Sequence, residues 1–209
     1  MNESTAYFNS LNKLNLCEYI KFMEQYAKEN DVPIIEREGL SYILHLLKLY
    51  KPRHILEIGT AIGYSSINFA LLDSGIHITT IERDAKMYEE ASKNVENMNL
   101  HNQIDILYED ALNINLERFN DLYDVIFIDA AKAQYQKFFE KYTPLLKKGG
   151  IVISDNLLFH GLIFEDIEGR NLKGLTKKIR RYNEWLQLNN DYDTHFTPIG
   201  DGIAISIKK

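Results

Sequence analysis

The sequence predicts an α/β fold: a mostly parallel sheet of seven strands, helices on both faces, one antiparallel strand from a C-terminal hairpin, and extra N-terminal helices. Three observations predict it. From Pro52 onward, short β-branched runs alternate with segments of helical period, the pattern of successive βα units. The first such run, with Ile55, Leu56 and Ile58, is compact and apolar, as a strand buried on both faces of a parallel sheet requires. It runs into Gly59-Thr-Ala-Ile-Gly63, a glycine turn that lets the backbone bend sharply before a helix.

Composition sets the bounds. At 209 residues and 45% hydrophobic content a single core buries most of the apolar surface, so one domain over 1–209 is expected, with 1–50 as a helical cover and 51–209 as the core. Cys17 stands alone, which excludes an intrachain disulfide and favours a reducing compartment. Met1 to Thr5 has neither the basic region nor the apolar core of a secretion signal, and no uncharged run reaches membrane-spanning length. A cytoplasmic location without membrane contact is the expectation. The net charge of −6 argues against indiscriminate attraction to nucleic acid, yet leaves room for a local basic patch.

Taken in order, Leu16, Ile20, Met23 and Ala27 recur at steps of four, three and four, as one face of a helix does. After the break at Pro33, Leu40, Ile43, Leu44 and Leu47 build a second amphipathic helix. Such a pair covers either a sheet edge or a second copy of the chain. The first strand and its turn follow, then a helix ending near Asp73, a second strand over Ile76–Ile81, and Asp84 as the cap of a helix with Tyr88, Ala91, Val95 and Met98 inward. Gln103–Leu107 and Tyr123–Ile128 read as the third and fourth strands. Tyr135, Phe138, Phe139 and Tyr142 form a helical stripe, Thr143-Pro144 opens a short turn, Lys147 to Gly150 closes it, and Ile151–Ser154 is the fifth strand. A helix over Gly174–Leu188 then precedes the hairpin of Tyr192–Thr197 and Ile203–Ile207.

Open α/β sheets bind ligands beyond the carboxyl ends of their strands. Those ends carry Gly59 to Gly63, Glu82, Asp110-Ala111, Asp129 to Lys132, and Asp155-Asn156. Ala61 occupies the place of the middle glycine in G-x-G-x-x-G, so the dinucleotide pattern fails. Glu82 lies about 20 residues on, where a doubly wound fold places the carboxylate that accepts from ribose hydroxyls, which points to an adenosine ligand. Asp129, Asp155 and Asn156 supply hard oxygen donors suited to Mg²⁺, Ca²⁺ or Mn²⁺. Each alone also reads as a cap or a turn. Lys132 is expected in the first turn of a helix, where the dipole disfavours a cation and a lowered pKa suits a general base; a solvated surface lysine is the alternative.

With these residues in view, the chain resembles the class I S-adenosylmethionine-dependent methyltransferases, and within them the cation-dependent O-methyltransferases that include the catechol and caffeoyl-CoA enzymes. The resemblance rests on Leu56-Glu-Ile-Gly-Thr-Ala-Ile-Gly-Tyr-Ser65, Phe127-Ile-Asp-Ala-Ala-Lys132, Ser154-Asp-Asn-Leu-Leu158 with Gly161, and Gly200-Asp-Gly-Ile-Ala-Ile-Ser206. It implies a Rossmann-like sheet, S-adenosylmethionine as cofactor, and commonly a homodimer. It further implies that Gly59 and Ser65 contact the methionine end of the cofactor, that Glu82 holds the ribose, and that Asp110 with the Ala111 backbone reads the adenine. Leu40 adds a backbone contact. Asp129, Asp155 and Asn156 become ligands of Mg²⁺ or another hard divalent cation, Asp129 also facing the cofactor, and Lys132 becomes the base.

Within that family, Phe127 to Tyr135 and Asp155 to Gly161 look most like the bacterial tRNA 5-hydroxyuridine methyltransferases, which form 5-methoxyuridine at the wobble position. Arg170, Lys173, Lys177, Lys178, Arg180 and Arg181 are six basic residues in twelve with no acid among them, which suits an RNA partner. A solvated helix face, with Glu165, Asp166 and Glu168 as its acidic counterpart, explains the same charges. Three functions therefore compete: a tRNA methyltransferase, a methyltransferase for catechol-like small molecules, and a non-catalytic protein that binds S-adenosylmethionine or RNA.

Overall fold

The computed structural model describes residues 7, 8, 10–12, 14, 16–119, 121–165 and 169–209; Asp166, Glu168 and the side chain of Arg170 lie outside the described residues. Helices α1 (Glu18–Glu29) and α2 (Arg37–Tyr50) form from the two N-terminal stripes, burying Ile20, Met23 and Ala27 from one and Leu40, Ile43, Leu44 and Leu47 from the other. They share one apolar cluster with Ile55, Ile67, Phe69 and Phe127, so they cover a face of the sheet.

The core then runs β1 (His54–Ile58), α3 (Tyr64–Ala70), β2 (His77–Glu82), α4 (Ala85–Asn97), β3 (Ile104–Tyr108), β4 (Tyr123–Ile128), α5 (Tyr135–Tyr142), β5 (Leu146–Ser154), α6 (Arg170–Leu188), β6 (Tyr192–Thr197) and β7 (Ile203–Lys208). The seven strands lie in the order β3-β2-β1-β4-β5-β7-β6. β1 pairs in parallel with β2 and β4, β2 with β3, and β4 with β5, whereas β7 is antiparallel to both β5 and β6. Alternate residues of each inner strand face opposite sides, so Leu56, Ile126 and Ile128 belong to a second cluster, with Phe138, Phe139, Tyr142 and Tyr182 under α5 and α6. The chain order reverses between β1 and β4, and a sheet of this kind opens a crevice there.

Two boundaries differ from expectation by several residues, and others by one. β5 begins at Leu146, because Leu146 pairs with Tyr123 before the ladder shifts to Val125 with Ile151. Lys147 Nζ is held by Asp124 at 2.6 Å and Gly149 takes a φ of 74°, so the Lys-Lys-Gly-Gly run is a bulged strand instead of a turn. α6 begins at Arg170, because Gly174 weakens a helix by only about 1 kcal/mol and does not end it. All six basic residues therefore lie on one helix. No helix among the described residues is long and apolar enough to cross a membrane.

Candidate active site

Backbone bonds align the strand ends. Gly59 N–H donates to Ile81 O at 3.1 Å, Asp129 N–H to Ile58 O at 3.1 Å, Asp155 N–H to Ile128 O at 3.2 Å, and Glu109 N–H to Glu82 O at 2.9 Å. Each bond carries the parallel register one step past the strand, so these residues emerge side by side on one rim. Gly59 sits where β1 and β4 diverge, at a φ of 103°, and a Cβ on it would lie 2.0 Å from Asp129 O. The close approach that demands glycine is that of the backbone just past β4; the sequence suggests a ligand in this role.

A cleft of about 390 Å³ opens on this rim, lined by Gly59, Glu82, Asp110, Ala111, Asp129, Lys132 and Asn156, with Ile58, Ile81 and Met87 as apolar walls. Glu82 is fixed on both oxygens: one accepts from the Arg83 and Asp84 N–H groups and the other from Ala61 N–H, all at 2.8 Å. Asp110 Oδ1 accepts from Leu112 N–H at 2.8 Å. Leu40 and Ser65 do not line the cleft. The Leu40 side chain is in the core, and its N–H donates to Glu36 O at 2.9 Å within α2.

Ser65 lies beneath the turn, where its hydroxyl, with those of Ser66 and Thr80, donates to Glu57. Glu57 is wholly buried, and burial raises its pKa to about 7 although the three hydroxyls pull the other way. The network ties β1, β2 and α3 together under the glycine turn. The signal for such a role is visible in the sequence as an acid inside an apolar strand, a position that demands partners.

Beyond β4 and β5, Asn156 Nδ2 donates to Asp129 Oδ1 at 2.7 Å, and Asp155 Oδ1 accepts from Asn156 N–H at 2.7 Å. Burial first, and then the charge of Asp129, raise the pKa of Asp155; burial also raises Asp129 against the pull of Lys132. Asp201, from the turn before β7, is a third carboxylate here, itself buried, whose charge raises both. One of its oxygens accepts from His160 N–H. The other, like Gln134 Oε1, has no hydrogen-bond partner among the described residues. Nothing in the Gly200-Asp-Gly turn motif separates Asp201 from an ordinary turn residue.

Among the described residues no three His, Cys, Asp or Glu side chains are grouped to hold a metal ion. The donor set available is instead two adjacent carboxylates, disfavoured as a charged pair, with an amide beside them. That chemistry fits a hard divalent cation, which stabilises both charges and accepts amide oxygen readily.

Lys132 opens a 3-10 turn over Lys132–Gln134, and α5 starts only at Tyr135. It therefore stands ahead of the α-helix and not in its first turn, and the helix-dipole argument for it fails. Its Nζ lies 5.6 Å from the centre of the Phe159 ring. On α6, Lys173, Lys177, Lys178, Arg180 and Arg181 are all exposed. The Arg180 guanidinium bonds Ile163 O, so this cation is tied to the 3-10 turn of Leu162–Phe164.

The profile described as O-methyltransferase matches residues 9–209. The chain is 31% identical over 173 residues to a catechol O-methyltransferase of Niastella koreensis, covering 78% of this chain and 77% of that one. It is 30% identical over 182 residues to a caffeoyl-CoA O-methyltransferase of Populus kitakamiensis, covering 83% and 76%. Among solved structures, a Staphylococcus aureus protein provisionally described as a caffeoyl-CoA O-methyltransferase shares 43% identity and a TM-score of 0.93, covering 100% of both chains. The match runs through every strand end that builds the cleft, and the chain belongs to the O-methyltransferase family, the S-adenosylmethionine-dependent enzymes of the caffeoyl-CoA and catechol type.

Proposed function

We propose that this O-methyltransferase acts on 5-hydroxyuridine at the wobble position of tRNA, forming 5-methoxyuridine, with Mg²⁺ or another hard divalent cation. The observation that carries the RNA acceptor is the basic face of α6. Lys173, Lys177, Lys178 and Arg181 are exposed there and form no ion pair among the described residues. In a chain of net charge −6, this concentration of one sign is the kind of surface that attracts phosphates.

Glu82 and Asp110-Ala111 would hold the adenosine end of the cofactor, whose sulfonium supplies the methyl group. Asp129, Asp155 and Asn156 would hold the cation, which when bound gathers two neighbouring acceptor oxygens and lowers the pKa of the hydroxyl. Lys132 would take the hydroxyl proton at Nζ, which lies 5.6 Å from the centre of the Phe159 ring. Held this way on one rim, donor and acceptor would be brought together for in-line transfer.

The demand for neighbouring oxygens is met by the 5-hydroxyl and C4 carbonyl of 5-hydroxyuridine. A catechol meets it as well, and the names of the relatives favour that second reading. It predicts that alanine at Lys177, Lys178 and Arg181 together leaves turnover untouched, Arg180 being left in place because it bonds Ile163 O. The deciding experiment is nucleoside mass spectrometry of tRNA from cells lacking the protein. Loss of 5-methoxyuridine with accumulation of 5-hydroxyuridine is expected; unchanged 5-methoxyuridine would reject the tRNA acceptor.

A further inference from the structure

We infer that a second groove, continuous with the cofactor cleft at Lys132, binds the backbone phosphates that flank the target nucleotide. This rests on the RNA reading proposed above. The groove has a volume of about 510 Å³ and runs between the 3-10 turn and α5 on one side and α6 on the other. One wall presents Lys137, with Lys132 at the end shared with the cleft, and the other presents Lys178 and Arg181, against a single carboxylate, Glu140. Gln136 Nε2 donates to Glu140 Oε1 at 2.8 Å, so that acid is already engaged on its own helix. Lys137, Lys178 and Arg181 are exposed and form no ion pair among the described residues.

Cations on two walls of one groove repel each other unless an anion lies between them. The groove meets the cleft at Lys132 and Gln134, which line both. A base that enters the cleft beside Lys132 leaves its sugar-phosphate chain at this junction, and the flanking phosphodiesters are anions of the right kind. Arginine offers a fork to phosphate oxygens and lysine a point charge. A bare catechol has no anionic arm for this groove. The inference also reaches beyond the basic run of α6, because it assigns a role to Lys137 on α5.

The test is methylation of an anticodon stem-loop RNA carrying 5-hydroxyuridine, followed over a salt series. It compares the wild type with Lys137→Ala, with Lys178→Ala/Arg181→Ala, and with the charge-keeping Lys178→Arg/Arg181→Lys. The alanine variants are expected to raise KM about threefold to tenfold per residue, with kcat at saturation nearly constant, and to reduce the log–log salt slope of RNA binding by about 0.7 for each cation removed. The charge-keeping pair should recover most of the affinity, and melting curves confirm that each variant is folded. If the wild type fails to methylate this RNA, the RNA reading falls and the groove with it. If the wild type methylates it while the alanine variants keep both KM and salt slope, the groove assignment alone is overturned.

Discussion

Gly59 and Gly63 sit four residues apart in one turn, both at positive φ, and their surroundings separate them. A Cβ at Gly59 would meet Asp129 O at 2.0 Å, whereas at Gly63 the nearest atom is the Ala91 Cβ at 3.5 Å, an ordinary contact. Gly63→Ala is therefore expected to cost about 1 kcal/mol, the usual penalty for a side chain in a left-handed conformation. Gly59→Ala should cost roughly 3 kcal/mol or more, because backbone must move. Urea unfolding of the two variants checks the order, and equal losses would contradict the packing described. Asp155 poses a chemical test at the same scale. Asp155→Ala is expected to lower metal-stimulated turnover on the order of 10²-fold while S-adenosylmethionine affinity, measured by calorimetry, survives. Full activity without added metal would contradict the ligand assignment.

At the scale of elements, the loop after β5 is held by the turn before β7. Leu157 N–H donates to Gly202 O at 3.0 Å and Leu158 N–H to Asp201 O at 2.8 Å, while the Asp201 carboxylate accepts from His160 N–H. This matters because Asn156, Phe159 and His160 all have positive φ, at 62°, 49° and 54°, conformations that persist only where the surroundings enforce them. Removing the Asp201 acceptor leaves a donor unsatisfied, so Asp201→Ala should cost about 1–3 kcal/mol. Asp201→Asn keeps an oxygen toward His160 and should cost less. Equal losses in chemical denaturation would show that the carboxylate is not what holds the loop.

For the molecule as a whole, the buried acids make stability depend on pH. Burial holds Glu57 at about 7 against an ordinary 4.5, so the folded chain keeps a proton that the unfolded chain has already released. Its contribution is complete below pH 4.5 and is lost as pH rises through about 7, by roughly 3 kcal/mol in all. Thermal melting over this window should show stability falling with pH, and Glu57→Gln should make the fall shallower; an unchanged slope would exclude Glu57 as a contributor. Asp129 and Asp155 are raised in the same direction by burial and, for Asp155, by its neighbour's charge. A divalent cation bound by this pair should therefore raise the melting temperature near neutral pH, adding about 2.7 kcal/mol at a concentration of 100 Kd. Asp155→Ala should abolish that increment.

Local pattern determined much of this protein. The apolar steps of four and three placed α1 and α2, the β-branched runs placed the parallel strands, and the acids after those runs marked the rim, because periodicity and strand polarity are written in neighbouring residues. The sequence also bore the motifs whose likeness is to O-methyltransferases. What only tertiary structure decided depends on residues brought together from distant segments. Ser65 lies under the turn because Glu57, which Thr80 also holds, accepts its hydroxyl there, and Asp201 comes beside Asp129 and Asp155 because β7 inserts beside β5. Lys132 leaves the α-helix because a 3-10 turn precedes Tyr135, and the strand register sets Asp129 O so close to Gly59 that no side chain fits. These are matters of distance, burial and charge between segments, which no local pattern encodes.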